Sequence, residues 1–137
     1  MAKYPYTILP SPDTGKVYKP LIPVHISNLK THKTTSVAIN ALVDSGADVC
    51  FCALNIGIWL GINFKNKKLS KFTAANNQTF NTYKESVKLH VCGKSYNCTF
   101  YFSDELIKMV PIILGQLGFF DHFKISFDLK NQEMDIT

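Results

Sequence analysis

The stretch whose residue types could do chemistry is Ala41-Leu42-Val43-Asp44-Ser45-Gly46-Ala47-Asp48. An apolar segment delivers the Asp44 carboxylate at its buried end. A small hydroxyl residue follows, and then a glycine that can take conformations closed to other residues. A carboxylate leaving a hydrophobic strand is costly unless it is paired or hydrogen-bonded. Taken alone, Asp-Ser-Gly reads as an Asx-type turn after a strand. A second apolar run further along, Ile112-Ile113-Leu114-Gly115 followed by Phe119-Phe120 and Phe123, shifts that balance.

A literal Asp-Thr-Gly also occurs, in Pro12-Asp13-Thr14-Gly15. No apolar strand precedes it, since Ile8-Leu9-Pro10-Ser11-Pro12 holds two prolines, and Lys16 follows where a small residue is expected. It reads as a surface β-turn. The cysteines at 50, 52, 92 and 98 are spaced C-x-C and C-x5-C, which matches no zinc knuckle or ribbon. They read as reduced, partly buried thiols. His25, His32, His90 and His122 have no metal-like spacing and read as structural or exposed. No metal and no cofactor are expected.

The elements that must position Asp44 are short strands. Leu21 to Asn28 alternates, Leu29 to Ser36 is a polar turn, and Val37 to Val43 returns, which makes a hairpin leading into Asp44. Ala53 to Leu60 is expected as a short helix ended by Gly61. Lys65 to Phe72 and Thr82 to Val91 read as strands around a polar tip, Ala74 to Thr79. Gly93-Lys94 turns the chain into a strand from Tyr96 to Phe102, and Ser103 to Met109 is a loop or helical turn. Pro111 to Leu114 is an apolar strand, Gly118 to Phe123 a short helix, and Ile125 to Leu129 with Glu133 to Ile136 a last hairpin. Residues 1–20, with Pro5, Pro10, Pro12 and Pro20, read as an irregular arm with one short edge strand at Tyr6 to Leu9. The sum is an all-β domain with closed or sandwiched sheets. Two successions of strand, sharp glycine turn and helix suggest an internal pseudo-two-fold.

Composition narrows the function classes. The 137 residues carry a net charge of +5, yet all 15 basic residues are lysine. Without arginine, bidentate recognition of phosphate or guanine is disfavoured, and no nucleic-acid partner is expected. The cluster Lys65, Lys67, Lys68 and Lys71 reads as a solvated loop. A hydrophobic share of 46% and a charged share of 18% are globular and not disordered. No apolar run approaches the roughly 18 residues of a membrane span, and no apolar region follows Lys3 as in a signal peptide. A cytoplasmic domain with no membrane partner is expected.

With both apolar elements in hand, the chain resembles the retropepsin-like aspartic proteases from about residue 20 to residue 137. Their first signature is apolar residues before Asp-(Thr/Ser)-Gly-Ala, here Leu42-Val43-Asp44-Ser45-Gly46-Ala47. Their second is an apolar run ending in Gly before a short helix, here Ile112-Ile113-Leu114-Gly115-Gln116. The ending Phe123-Lys124-Ile125-Ser126-Phe127-Asp128 is similar to cellular and bacterial members. There are departures. Gln116 stands where retroviral members carry arginine, Leu117 where many non-viral members carry an acid, and the tip Ala74 to Thr79 has no glycine.

The resemblance implies a closed β-barrel with short helices, residues 21–137 as the protease domain, and activity as a homodimer. One usable Asp-Ser-Gly per chain supplies one carboxylate, whereas aspartic proteolysis needs two that share a proton. The catalytic set it implies is Asp44, Ser45 and Gly46, with Ser45 bonding across the dimer axis. Ala47, Asp48, Phe72, Thr73, Ala74, Ala75, Ile113 and Leu114 would bind substrate, those around Phe72 to Phe80 as a flap over an extended peptide. Tyr4 to Leu9 and Met134 to Thr137 are the segments expected to pair between subunits. The alternative is a dimeric module of the same fold that grips extended peptides or partner proteins without cutting them.

Overall fold

The computed structural model describes residues 2–74, 76–106 and 110–137. Prolines do not keep the N-terminal segment irregular, as expected above. It forms three strands, Ala2–Pro5 (β1), Thr7–Ser11 (β2) and Gly15–Lys19 (β3). β2 and β3 make a two-stranded hairpin closed at Ser11↔Gly15. Such a hairpin has only edges, where a missing N–H is tolerated, and Pro5, Pro10 and Pro12 are all exposed. Asp13 lies on the exposed turn of this hairpin.

The remaining strands are Leu21–Ser27 (β4), Ile39–Val43 (β5), Cys50–Ala53 (β6), Leu69–Thr73 (β7), Thr79–Val91 (β8), Lys94–Ser103 (β9), Ile112–Leu114 (β10), Ile125–Asp128 (β11) and Glu133–Ile136 (β12). One α-helix, Leu54–Trp59 (α1), follows β6. The sheet order is β4-β5-β10-β6-β9-β8-β7, and β4 also pairs with β8. That pairing closes six strands into a barrel, so the expected all-β closed barrel is the fold observed. Alternate residues fill it: Ile22, Val24 and Ile26 from β4, Val87 and Leu89 from β8, and Phe100 and Phe102 from β9 are at most 1% exposed. Each such side chain contributes about 1.5–3 kcal/mol by leaving water.

The central feature is the parallel pairing of β5 with β10, in the register Ala41↔Ile112, Leu42↔Ile113 and Val43↔Leu114. It sets the two glycine turns side by side and gives the pseudo-two-fold its core. β7 and the start of β8 project from the barrel as a hairpin, with Phe72↔Phe80 and Thr73↔Thr79 its last pairs.

One strand was not expected and two expectations are corrected. Cys50–Ala53 is a strand, inserted between β10 and β9 just before the expected helix. Gly118 to Phe123 is a run of turns and not a helix. Phe120 and Asp121 donate their N–H groups to Gly115 and Gln116 five residues back, and Gly118 has φ +112°, at a place where a Cβ would also lie 2.9 Å from the sulfurs of both Cys50 and Cys98. Lastly, β12 pairs with β1 on one side and β11 on the other. Both its edges are filled within the chain, so Met134 to Ile136 is not free to pair with another subunit. Met134 and Ile136 are instead buried in the core. Among the described residues no helix is long and apolar enough to cross a membrane.

Candidate active site

Asp44 follows directly on β5, and the parallel neighbour strand holds it there. Its N–H donates to the carbonyl of Leu114 at 3.0 Å, which continues the β5–β10 ladder one step beyond Val43. The chain then turns on the aspartate itself. Gly46 N–H donates to Asp44 Oδ1 at 2.9 Å, and Ala47 N–H donates to the Asp44 carbonyl at 3.2 Å. The carboxylate is half-buried, with one oxygen held and its direction fixed.

The second glycine turn laces onto the first. Gln116 N–H donates to Ala47 O at 2.8 Å and Leu117 N–H to Asp48 O at 2.9 Å. Gln116 Nε2 donates to Ser45 O at 2.7 Å. The position where the resemblance expects an arginine is thus filled by an amide that ties the two loops of one chain together. The approach of the loops requires glycine at 115, where a Cβ would lie 2.2 Å from Val49 O and 2.6 Å from Ala47 O.

A cleft of about 390 Å³ opens in front of this loop pair. Asp44, Gly46, Ala47 and Asp48 form its floor, and Phe72, Thr73 and Ala74 of the projecting hairpin reach over it. Phe51, Phe80, Leu106 and Ile113 complete the walls. The hairpin tip is closed by Ala74 N–H donating to Gln78 O at 2.8 Å. Its base rests on an aromatic cluster, with Phe72 edge-on to Phe51 at 5.1 Å and to Tyr101 at 4.9 Å between centroids.

The cleft therefore gathers Asp44, Gly46, Ala47, Asp48, Phe72, Thr73, Ala74 and Ile113 from three separate parts of the sequence. Two residues expected with them stand elsewhere. Ser45 is exposed outside the cleft lining and contributes its carbonyl to Gln116. Leu114 is fully buried in the core, because Ile113 alone of β10 points outward; its contribution is the carbonyl that holds Asp44. Ala75 and the end of the expected Ser103 to Met109 loop, residues 107–109, lie outside the described residues. Phe51 and Leu106 were not expected. Phe51 could have been found from Cys50-Phe51-Cys52, since burying both cysteines on one face of a strand turns the phenylalanine to the other.

The other nucleophile types are not poised for chemistry. Burial pushes the Cys52 thiol far up. The hydrogen bond between Cys98 and Cys50, with burial, pushes Cys98 up, and the same bond lowers Cys50, which is fully buried away from the cleft. Among the described residues no three His, Cys, Asp or Glu side chains converge to hold a metal ion.

No model of a known protein family matches this sequence, and no curated protein does. Solved structures do match. The chain is similar to a retropepsin-like aspartic protease from Rickettsia conorii, with a TM-score of 0.63 and 18% identity over 100% of this chain and 99% of that one. It is also similar to the EIAV protease in complex with the inhibitor HBY-793, with a TM-score of 0.54 and 17% identity over 72% of this chain and 82% of that one. At such identities the likeness is one of fold.

Proposed function

We propose that this chain, which has the retropepsin-like fold, is an aspartic endopeptidase acting as a homodimer on extended peptides. The observation that carries this reading is the Asp44 carboxylate, held by Gly46 on the floor of a cleft that the β7–β8 hairpin overhangs. One carboxylate cannot be both base and acid in the same step. A second, brought by two-fold assembly of the same loop, lies close enough that the pair keeps one proton between them. The ionised Asp44 of one subunit takes a proton from a water, whose oxygen attacks the scissile carbonyl. The protonated Asp44 of the other gives its proton to the carbonyl oxygen. On collapse of the tetrahedral intermediate the first Asp44 gives the water's proton to the amine nitrogen as the C–N bond breaks, and the second takes a proton back from a hydroxyl of the intermediate, which restores the pair. Gly46 and Asp48 line the floor on which the peptide backbone would lie, and Phe51, Phe72, Phe80 and Ile113 favour apolar side chains beside the cut.

The test is cleavage of an apolar-centred peptide as a function of pH, with and without EDTA, by the natural chain and Asp44→Asn. A pair that works only while it holds one proton gives a bell-shaped rate centred in the acid to weakly acid range. EDTA is expected to have no effect, and Asp44→Asn to lose about 10²–10⁴-fold. A rate rising steadily to alkaline pH, or lost on chelation, would refute the mechanism. Peptide binding without cleavage by both proteins would assign the fold to the gripping module instead.

A further inference from the structure

Strand β8 outruns its partner β9. The two pair from Val91↔Lys94 to Tyr83↔Phe102, whereas Thr79 to Thr82 pair with β7 alone. Among the described residues no strand lies beside the far edge of the projecting hairpin there. The N–H of Asn81 points off that edge, and Glu105 Oε2 accepts it at 2.9 Å. The turn after β9 aims the carboxylate, because Glu105 N–H donates to Ser103 Oγ at 3.1 Å and Ser103 is itself buried. The next residue, Leu106, lines the cleft. One short turn thus touches both the free edge of the hairpin and the wall of the cleft beneath it.

We propose that Glu105 is a positioning residue that clamps the β7–β8 hairpin over the cleft through the Asn81 N–H, and so governs how readily a peptide is admitted and held. A hydrogen bond from a backbone amide to a carboxylate is charge-assisted and stronger than a neutral one. Lifting the hairpin breaks it, and the hairpin's return restores it over whatever lies below. The aromatic contacts of Phe72 hold the hairpin from its cleft side, and Glu105 holds it from the opposite edge of β8. The consequence for peptide turnover rests on the protease reading above; the clamp itself does not.

Amide hydrogen exchange resolves the clamp directly in the natural chain, Glu105→Ala and Glu105→Gln. Exchange at Asn81 is expected to quicken about tenfold or more in Glu105→Ala, the worth of a charge-assisted bond. It should stay within a few-fold of the natural chain in Glu105→Gln, which keeps an acceptor oxygen. Leu89, deep in the barrel, should not change in either. On a cleaved peptide, Glu105→Ala is expected to raise KM several-fold with kcat within about twofold, because the clamp acts on binding and not on the reacting atoms. Unchanged exchange at Asn81 in Glu105→Ala, or equal acceleration in both variants, would overturn the clamp. Faster exchange with unchanged KM would overturn its part in admitting peptide. If the natural chain cleaves nothing, the protease reading falls while the exchange comparison still decides the clamp.

Discussion

A single carboxylate acquires its direction from three backbone groups. Leu114 O fixes where Asp44 leaves the barrel, Gly46 N–H fixes one of its oxygens, and Ala47 N–H closes the turn beneath it. Asp13, in the same three-residue motif, has none of this and sits on an exposed hairpin turn. Asp13→Asn is therefore expected to leave cleavage within about twofold, against the large loss for Asp44→Asn. Activity lost in Asp13→Asn and kept in Asp44→Asn would mean that the wrong aspartate has been assigned. Gly115 is the other residue on which the site depends. Its missing Cβ is what lets the second loop approach the carbonyls of Ala47 and Val49. These are backbone atoms that cannot rotate aside, so Gly115→Ala is expected to cost at least about 1–3 kcal/mol of stability. Urea denaturation measures it, and a loss well below that range would mean that the loops can part without cost.

Among the elements, the seam that closes the barrel carries a histidine pair that can make stability depend on pH. His25 and His90 face each other across β4 and β8. The ring of His90 lies between Ser27 Oγ and Ser95 Oγ, each at 2.7 Å from one of its nitrogens, and Lys88 is on the same strand. Burial first, then the charges of Lys88 and His25, push His90 below its ordinary value of 6.5. Well above that pH the ring is neutral in both folded and unfolded chains. As the pH falls through it, the unfolded chain takes up the proton first, so stability is lost until the lower folded value is passed. The urea midpoint should fall from about pH 7.5 to about pH 5, and His90→Asn should fall less steeply. Equal slopes would remove His90 as the cause.

The same elements divide into those legible in the sequence and those that were not. β4, β8 and β9 carry alternation in sequence that burial follows, and the apolar run of β5 before Asp44 announces the loop it feeds. β6 was hidden because Cys50, Phe51 and Cys52 are buried on both faces and show no polar alternation. The prolines of residues 1–20 masked strands that sit where prolines are tolerated. The turns after Gly118 were hidden because their hydrogen bonds reach five residues back and Gly118 takes a positive φ against two cysteine sulfurs from distant strands, neither of which has a periodic signal. Of the residues that line the cleft, Asp44, Gly46 and Ile113 were legible from the two apolar motifs, and Phe72 only through the resemblance. Leu106 was not, since only the closed barrel brings the turn after β9 beside the loop after β5.

At the scale of the whole molecule, the proposed chemistry is incomplete in one chain. A second copy must bring its own Asp44 to the first, and the terminal sheet constrains how. With both edges of β12 filled by β1 and β11, the subunits cannot join by pairing to it. Among the described strands β1 and β11 each keep an outer edge, and the proposed chemistry separately requires the two Asp44 loops to meet. Leu117, 63% exposed, follows the glutamine that binds Ser45, and its N–H binds Asp48 O of the Asp44 loop. An exposed leucine beside the axis loses water only on assembly, worth about 1.5–3 kcal/mol for full burial. Placing a charge there removes that gain and adds the cost of burying an unpaired carboxylate. Leu117→Asp is therefore expected to weaken the dimer at least about tenfold. Its specific activity should be low in dilute solution and climb with protein concentration, while the circular dichroism and urea midpoint of the single chain stay unchanged. Sedimentation should follow the activity, with a species of twice the chain mass appearing as cleavage appears. Full activity from a strict monomer at every concentration would mean that a single Asp44 suffices, and the shared-proton mechanism would have to be abandoned.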